Sequence, residues 1–252
     1  MSGRIAWVTG AGKGIGAAVA FALAREGWTV AASARTADDL DSLARRAGDV
    51  SGGIHPVPLD VTDEEAVARA VAVIEQTLGP IDLAILNAGT HCPMDVDDFS
   101  CATLRRLWEV NVMGTGHCLA AVMPRLTARR RGRIMMVASV AGYIGLPTAA
   151  AYGPGKAALI NLAESLHPGL KERGVTLQLV NPGFVKTPLT DKNDFPMPFL
   201  ISADTAAARI IAATRSHSFE VTFPRRFTWM LKVIRCLPYG LSLPLIKAIT
   251  RG

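Results

Sequence analysis

The chain has 252 residues, of which half are hydrophobic, and its formal net charge is +6. This length is typical of one α/β domain with a large core, and no repeat, low-complexity stretch or linker divides it. Residues 1–220 carry 21 basic and 21 acidic side chains, so the excess charge belongs to the C-terminal segment alone. That segment lacks a recognisable binding module, so nucleic acid is not a predicted partner.

Strand-like apolar runs alternate with helical patterns along the chain. The predicted strands are Ile5–Val8, Thr29–Ala34, Ile54–Leu59, Leu83–Leu86, Ile134–Val137, Thr176–Val180 and Phe219–Phe223. This alternation predicts an α/β fold with a doubly wound parallel sheet of about seven strands and helices on both faces. We expect residues 1–224 to form this single domain and residues 225–252 to form a basic amphipathic tail.

A glycine-rich turn follows the first predicted strand. It reads Thr9-Gly10-Ala11-Gly12-Lys13-Gly14-Ile15-Gly16, and a helical pattern begins at Ala17 and ends at Arg25. A strand, such a turn and a helix together present backbone N–H groups and a helix N-terminus to a phosphate. Glycine is needed there because the turn requires unusual backbone angles and the ligand approaches the backbone closely.

A second motif places Lys156 four residues after Tyr152, which predicts that both side chains lie on one face of a helix. The ordinary pKa of a tyrosine hydroxyl is about 10. We expect the ammonium group to lower that pKa and to make the pair an acid/base suited to carbonyl chemistry. Pro154 is tolerated in the first helical turn, whereas Pro168 is predicted to kink or end the helix.

With further motifs, these residues resemble the short-chain dehydrogenase/reductase family. The family's T-G-x-x-x-G-x-G motif is matched by Thr9, Gly10, Gly14 and Gly16, and its N-A-G motif by Asn87-Ala88-Gly89. Its catalytic Asn, Ser, Tyr and Lys are matched by Asn111, Ser139, Tyr152 and Lys156. Its P-G turn with a following Thr is matched by Pro182-Gly183 and Thr187. The matches occur in the family's order and extend from position 9 to position 187.

The resemblance implies a Rossmann-like fold and hydride transfer between a nicotinamide and a carbonyl or alcohol carbon. Tyr152 would be the general acid/base, Ser139 would hold the substrate oxygen, and Lys156 would bind the nicotinamide ribose. Asn111 would help to hold a water that links Lys156 to solvent. The implied cofactor-binding residues are Thr9, Gly10, Gly12, Lys13, Gly14, Ile15, Gly16, Arg35, Asp60, Val61, Asn87, Ala88, Gly89, Tyr152, Lys156, Pro182, Gly183, Val185 and Thr187.

The residues after the second strand bear on the choice of cofactor. NAD-preferring members usually carry an acid at this strand tip, whereas this chain carries Arg35, whose guanidinium can bind a 2′-phosphate bidentately. Lys13 resembles the second basic position of NADP-preferring relatives. Two cations and no acid favour NADP(H) over NAD(H). Asp60 is expected to meet the adenine, with capping of the helix that starts near Asp63 as the alternative.

Two segments bear on substrate and location. Phe184–Leu200, which includes Phe195 and Pro196, is apolar and predicts a lid over a lipophilic substrate, although ordinary packing would need the same residues. In residues 227–237, apolar side chains share one helical face and basic ones the other, as in helices that lie in a membrane interface. Packing on its own or a partner subunit is the alternative. The longest uncharged run, residues 236–246, is too short to span a bilayer.

The leading interpretation is an NADP(H)-dependent carbonyl reductase or alcohol dehydrogenase that acts on a small lipophilic substrate. One alternative is a 3-oxoacyl thioester reductase of fatty-acid metabolism, whose acidic carrier protein could meet Arg129–Arg131 and Arg133. Another is a non-catalytic dinucleotide sensor, for which we would expect a damaged catalytic set. Four cysteines without metal-binding spacing, and no secretory pattern, predict reduced thiols, no metal site and a cytoplasmic location. The family resemblance implies a homodimer or homotetramer.

Overall fold

The computed structural model describes residues 3–48, 50–192 and 197–250. The elements in chain order are β1 (Ile5–Thr9), α1 (Gly14–Arg25), β2 (Thr29–Ala34), α2 (Ala37–Arg46), β3 (Gly53–Pro58), α3 (Glu64–Thr77), β4 (Ile81–Leu86), α4 (Cys101–Trp108), α5 (Gly114–Arg129), β5 (Arg133–Val137), α6 (Gly153–Glu172), β6 (Thr176–Pro182), β7 (Val185–Lys186), β8 (Ile201–Ser202), α7 (Ala203–Ala213), β9 (Glu220–Phe223), α8 (Arg225–Arg235) and α9 (Tyr239–Thr250). A π-helical turn, Glu109–Met113, joins α4 to α5, and a 3-10 turn, Val140–Gly142, follows β5.

The seven long strands form one parallel sheet in the order β3-β2-β1-β4-β5-β6-β9. This confirms the predicted seven-stranded, Rossmann-like sheet, with strand ends that differ by a few residues. The strand order reverses between β1 and β4, so a crevice forms at the carboxyl ends of these two strands. The short strands β7 and β8 pair with each other, outside the main sheet.

Both faces of the sheet are buried, because successive residues of each strand point to opposite faces. In β1, Ile5 and Trp7 belong to one hydrophobic cluster, whereas Ala6 and Val8 belong to the other. Strands buried on both faces read as continuous apolar runs, which is why the strand predictions were reliable.

Helix α6 continues through Pro168 to Glu172, so of the two predicted effects, a kink or a helix end, the helix end was wrong and the kink stays a prediction. Pro168 cannot donate a hydrogen bond to the carbonyl of Glu164. Both residues are exposed, and solvent can hydrate the carbonyl that has lost its donor. The helix therefore keeps its full length at a modest cost.

The C-terminal residues form two helices that pack on the rest of the chain. Phe227, Leu231 and Ile234 of α8 are buried in the same hydrophobic cluster as one face of the sheet. The apolar face that the sequence offered to a membrane is therefore covered by the protein itself. Within the described ranges, every helix is too short or too polar to cross a bilayer.

Candidate active site

The turn after β1 has a shape that glycine alone allows at Gly10, whose φ is +66°. A Cβ atom at this position would lie 2.8 Å from the Cα atom of Ala88. Helix α1 begins four residues later, so its unpaired backbone N–H groups point into the crevice. The turn is thus a cradle in which the backbone approaches a phosphate without an intervening side chain.

Side chains of the two central strands hold this turn in place. The Nδ2 atom of Asn87 donates to the carbonyls of Thr9 and Gly10 at 3.1 and 3.2 Å. The backbone N–H groups of Asn87 and Ala88 donate to the Thr9 hydroxyl, each at 3.1 Å. Thr9 and Asn87, both predicted as cofactor-binding, therefore act here by locking the ends of β1 and β4 together.

The crevice at these strand ends has a volume of about 430 Å³. Most of the predicted cofactor-binding residues line it. Its lining comprises Gly10, Gly12, Lys13, Gly14, Ile15, Ser33, Ala34, Arg35, Thr36, Asp39, Leu59, Asp60, Val61, Asn87, Ala88, Gly89, Thr90, Val110, Thr187, Pro188 and Leu189. A glycine cradle at one side and basic and acidic side chains at the tip of β2 fit an extended dinucleotide.

A smaller inner cavity of about 110 Å³ adjoins the crevice and shares five lining residues with it, including Gly89 and Thr187. The remaining predicted residues, except Thr9, Gly16 and Asn111, line this cavity. They are Ser139, Tyr152, Lys156, Pro182, Gly183 and Val185. A ligand in the crevice can therefore extend one end to the predicted catalytic side chains.

An acid that the sequence did not reveal lies beside the glycine turn. Asp39, in the first turn of α2, forms an ion pair with Lys13 in which Nζ and Oδ2 are 3.3 Å apart. The expectation of two cations without an acid was therefore wrong, because α2 lies back over the glycine turn and brings Asp39 to Lys13. Asp60 lines the crevice and accepts from Thr62, while Asp63 caps α3 through the N–H of Ala66 at 2.8 Å.

Three of the four predicted catalytic residues come from the segments that follow β5. Ser139 precedes the 3-10 turn, Tyr152 is the N-cap residue of α6, and Lys156 lies in the first turn of that helix. The Lys156 ammonium donates to the carbonyl of Val137 at 3.0 Å and lies 5.5 Å from the centre of the Tyr152 ring. The predicted one-face arrangement is thus present.

Asn111 reaches the same place from the π-helical turn, where the extra residue per turn alters the direction of its side chain. Its Oδ1 accepts from the N–H of Thr90 at 2.7 Å, and its Nδ2 donates to the Thr90 carbonyl at 3.0 Å. A Cβ at Gly89 would lie 3.1 Å from Asn111 Oδ1 and 3.6 Å from Lys156 Nζ. Asn111 is therefore buried beside Lys156 and fixes the backbone at Thr90, and its water-holding role stays a prediction.

Burial decides the protonation of the catalytic pair. Burial raises the pKa of the Tyr152 hydroxyl to about 12, although a hydrogen bond with Ser139 acts in the opposite direction. Burial lowers the pKa of the Lys156 ammonium to about 8. The expectation that Lys156 would lower the Tyr152 pKa is therefore not met by the protein's own groups, because desolvation penalises the charged form of both. The Tyr152 hydroxyl is thus neutral near pH 7.

Two neighbours of the site went unnoticed in the sequence. The ring of His91 packs edge-on against Tyr152, with 5.0 Å between ring centres. Its position two residues after the N-A-G motif was the available signal. Tyr143 donates to Glu220 at 2.5 Å, and Glu220 also pairs with Lys232 of α8. Lys232 belongs to the basic face predicted for residues 227–237, and through Glu220 and Tyr143 it connects α8 to the segment that carries Ser139.

The predicted lid is described only in part, since Phe195 and Pro196 lie outside the described residues. Its two flanking aromatic residues contact α8. The ring centre of Phe184 is 5.7 Å from that of Phe227, and the ring centre of Phe199 is 6.1 Å from it. Both described ends of the segment therefore contact α8, and its role as a lid stays a prediction.

Comparison with known proteins identifies the class. The family model for short chain dehydrogenases matches residues 4–196, so the chain belongs to this family of oxidoreductases. Members of the family use nicotinamide dinucleotide cofactors, and the crevice is where such a cofactor fits.

Individual relatives agree with this assignment. An uncharacterized oxidoreductase of Myxococcus xanthus is 36% identical over 251 residues, which cover 100% of this chain and 98% of that protein. A 3-oxoacyl-[acyl-carrier-protein] reductase of Thermotoga maritima is 32% identical over 76% of this chain and 78% of its own length. The crystal structure of a short-chain dehydrogenase from Streptomyces avermitilis superposes with a TM-score of 0.82 at 26% identity, covering 92% of each chain.

Proposed function

We propose that this protein is an NADP(H)-dependent enzyme that interconverts a carbonyl group and a secondary alcohol on a small lipophilic substrate. The observation that carries the proposal is that Ser139, Tyr152 and Lys156 line one cavity that opens into the glycine-walled crevice. Because NADP(H) is an intracellular cofactor and the four cysteines are free thiols, we place the reaction in the cytoplasm.

When bound, the nicotinamide supplies or accepts the hydride, and the protein manages position and protons. The Tyr152 hydroxyl would donate its proton to the oxygen of a carbonyl substrate, and the reverse reaction would return it. The Ser139 hydroxyl would donate a hydrogen bond to the same oxygen and hold it near Tyr152. A Lys156 pKa of about 8 lets this residue release or take up a proton near neutral pH and so restore Tyr152.

The preference for NADP(H) rests on Arg35. This side chain is exposed at the tip of β2 and lines the crevice, and no ion pair to it is formed by the described residues. The charge of Lys13 is largely offset by Asp39, so Arg35 is the cation available to a 2′-phosphate. An acid at the position of Arg35 would repel that phosphate instead.

The scarcity of charge in the inner cavity supports the proposed lipophilic substrate class. Among its described lining residues, Tyr152 and Lys156 are the ionisable ones. Met94, Leu107 and Ala151 form a buried apolar cluster that packs against Tyr152. A carboxylate or phosphate on the reacting part of the substrate would find no second cation there.

A 3-oxoacyl thioester reductase is the second candidate, favoured by the relative from Thermotoga maritima. The predicted carrier-protein site is less favourable, because its arginines already have partners. Arg129 pairs with Glu75 and Arg131 with Asp82, and Arg130 donates to a backbone carbonyl of α6. The sensor alternative is disfavoured, because the catalytic residues are all present.

The test is a substrate screen with NADPH, using ketones of graded chain length and a 3-oxoacyl thioester. We expect turnover to rise with chain length and Tyr152→Phe to lower it by roughly 10²- to 10⁴-fold without loss of NADPH binding. Tyr239→Phe, at an exposed tyrosine on α9, is the matched control. Near wild-type turnover in Tyr152→Phe would exclude the mechanism, and a preference for the thioester would favour the second candidate.

A further inference from the structure

The two C-terminal helices expose an unusual number of large apolar side chains. The exposed fraction of Trp229 is 64%, and that of Tyr239 is 80%. We call the tail surface the set formed by Trp229, Val233, Tyr239, Leu241, Leu243 and Leu245, each of which is exposed. These residues belong to two helices that pack on each other, and exposed apolar side chains grouped in this way are typical of a site of contact with a partner or a membrane.

The leucines of helix α9 are not buried against the rest of the chain. Its described buried residues are Ser242 and Ile246, which lie on one narrow stripe, and its main packing partner is α8. Leu241, Leu243 and Leu245 are spaced two residues apart, so they project to more than one side of the helix. A medium that surrounds most of the helix would cover them better than a flat protein surface.

The charges around the tail surface indicate what this medium is. Residues 221–252 contain six basic residues and no acidic one. Arg225 and Arg226 stand in the first turn of α8, where cations oppose the helix dipole. An anion bound beside them would remove this unfavourable interaction.

A groove of about 830 Å³ provides a place for that anion. It is lined by Arg209, Arg225 and Arg226, by the ion pair of Lys232 with Glu220, and also by Trp229 of the tail surface and Phe199 of the lid segment. Cations and an aromatic ring therefore share one opening. This is the order of groups found at the boundary between lipid headgroups and acyl chains.

We propose that the tail surface lies in the plane of an anionic lipid bilayer, with headgroup phosphates in the groove between Arg209, Arg225 and Arg226. The 12 residues of α9 extend about 18 Å, short of the roughly 30 Å of a hydrocarbon core, so the helix lies along the surface. The lipid-facing residues are not the buried face of Phe227, Leu231 and Ile234 that the sequence pattern selects. They are its opposite side together with α9.

A second copy of the chain is the competing occupant. Two tails in a two-fold interface would bring Arg225 and Arg226 of both copies together, while Glu220, the acid that lines the groove, already pairs with Lys232. The arginines of two facing copies repel each other, whereas an anionic bilayer attracts both the arginines and the apolar side chains. Charge complementarity thus selects the lipid.

The proposal is tested by sedimentation of the full-length protein with vesicles of phosphatidylcholine alone or mixed with phosphatidylglycerol. We expect binding to the anionic vesicles that weakens between about 0.05 M and about 0.5 M salt. Arg225→Gln/Arg226→Gln should bind about 30-fold more weakly, since each cation contributes roughly 1 kcal/mol. Arg105→Gln/Arg106→Gln, at two exposed arginines of α4, should bind like wild type.

A second pair of variants tests the apolar contact. Leu241→Ser/Leu243→Ser should lose most vesicle binding, whereas Val96→Ser/Phe99→Ser, at exposed apolar residues elsewhere, should retain it. Thermal melting of each variant establishes that it is folded. Absence of wild-type binding to anionic vesicles at low salt overturns the proposal. The proposal is also overturned if neither the wild type nor the leucine variant binds vesicles and light scattering shows a lower mass for the leucine variant. That result would assign the surface to a second copy of the chain.

Discussion

Phe227 connects helix α8 to the predicted lid segment, and its removal should affect stability and substrate binding together. Its side chain is 3% exposed and packs against the rings of Phe184 and Phe199. Phe227→Ala leaves a cavity and should lower the free energy of unfolding by about 3–5 kcal/mol. For a chain of this size, that loss corresponds to a fall in Tm of roughly 6–20 °C.

The kinetic effect follows from the two ring contacts. Each aromatic pair contributes about 0.5–1.5 kcal/mol, so losing both should weaken substrate binding by roughly 5- to 150-fold. The crevice lies outside this contact, so the Kd for NADPH should change little. The control is Leu231→Ala, one turn later on the same buried face and 1% exposed, which should cost a similar 2–5 kcal/mol without the kinetic effect.

The assay combines thermal unfolding with steady-state kinetics on the best ketone of the screen, at a temperature where both variants are folded. A rise in KM that is specific to Phe227→Ala supports the coupling. An equal rise in KM for Leu231→Ala would show that the effect is general destabilisation, and an unchanged KM for Phe227→Ala would refute the reasoning.

Three other predictions concern charge. Arg35→Asp should reverse the preference for NADPH over NADH, and Asp39→Asn should strengthen that preference. The measurement is the ratio of kcat/KM with NADPH to kcat/KM with NADH. Equal values for the wild type would contradict the role given to Arg35. Burial acts to raise the pKa of Glu220, but its hydrogen bonds and the Lys232 charge lower it overall. Its ionised form therefore stabilises the fold above about pH 4.5, and the gap in unfolding free energy between wild type and Glu220→Gln should close as the pH falls below that value. Burial lowers the Lys156 pKa from 10.5 to about 8, so unfolding takes up a proton in this window and stability should rise with pH. In denaturant titrations, the unfolding free energy of Lys156→Met should not show that rise with pH. The same pH dependence in this variant as in the wild type would contradict the prediction.

The sequence by itself determined the sheet and the glycine turn, and it predicted the catalytic residues that the fold brings together. The strands were predictable because strands buried on both faces are continuously apolar, which is a local property. The turn and the Tyr152–Lys156 pair were predictable because their geometry depends on neighbours a few residues apart. Asn111 and Ser139 were found by the resemblance to a family, and the fold then brought both beside Lys156.

Only the tertiary structure decided which distant groups meet. Asp39 neutralises Lys13 because α2 folds back over the turn, and Lys232 pairs with Glu220 because α8 packs beside β9. A helical pattern shows that one face of α8 is apolar, but not whether lipid or protein covers it. The pKa values of Tyr152 and Lys156 depend in the same way on how much of the folded chain excludes water from them. Periodicity and spacing act over one or two turns, whereas burial and charge pairing join residues that are far apart along the chain.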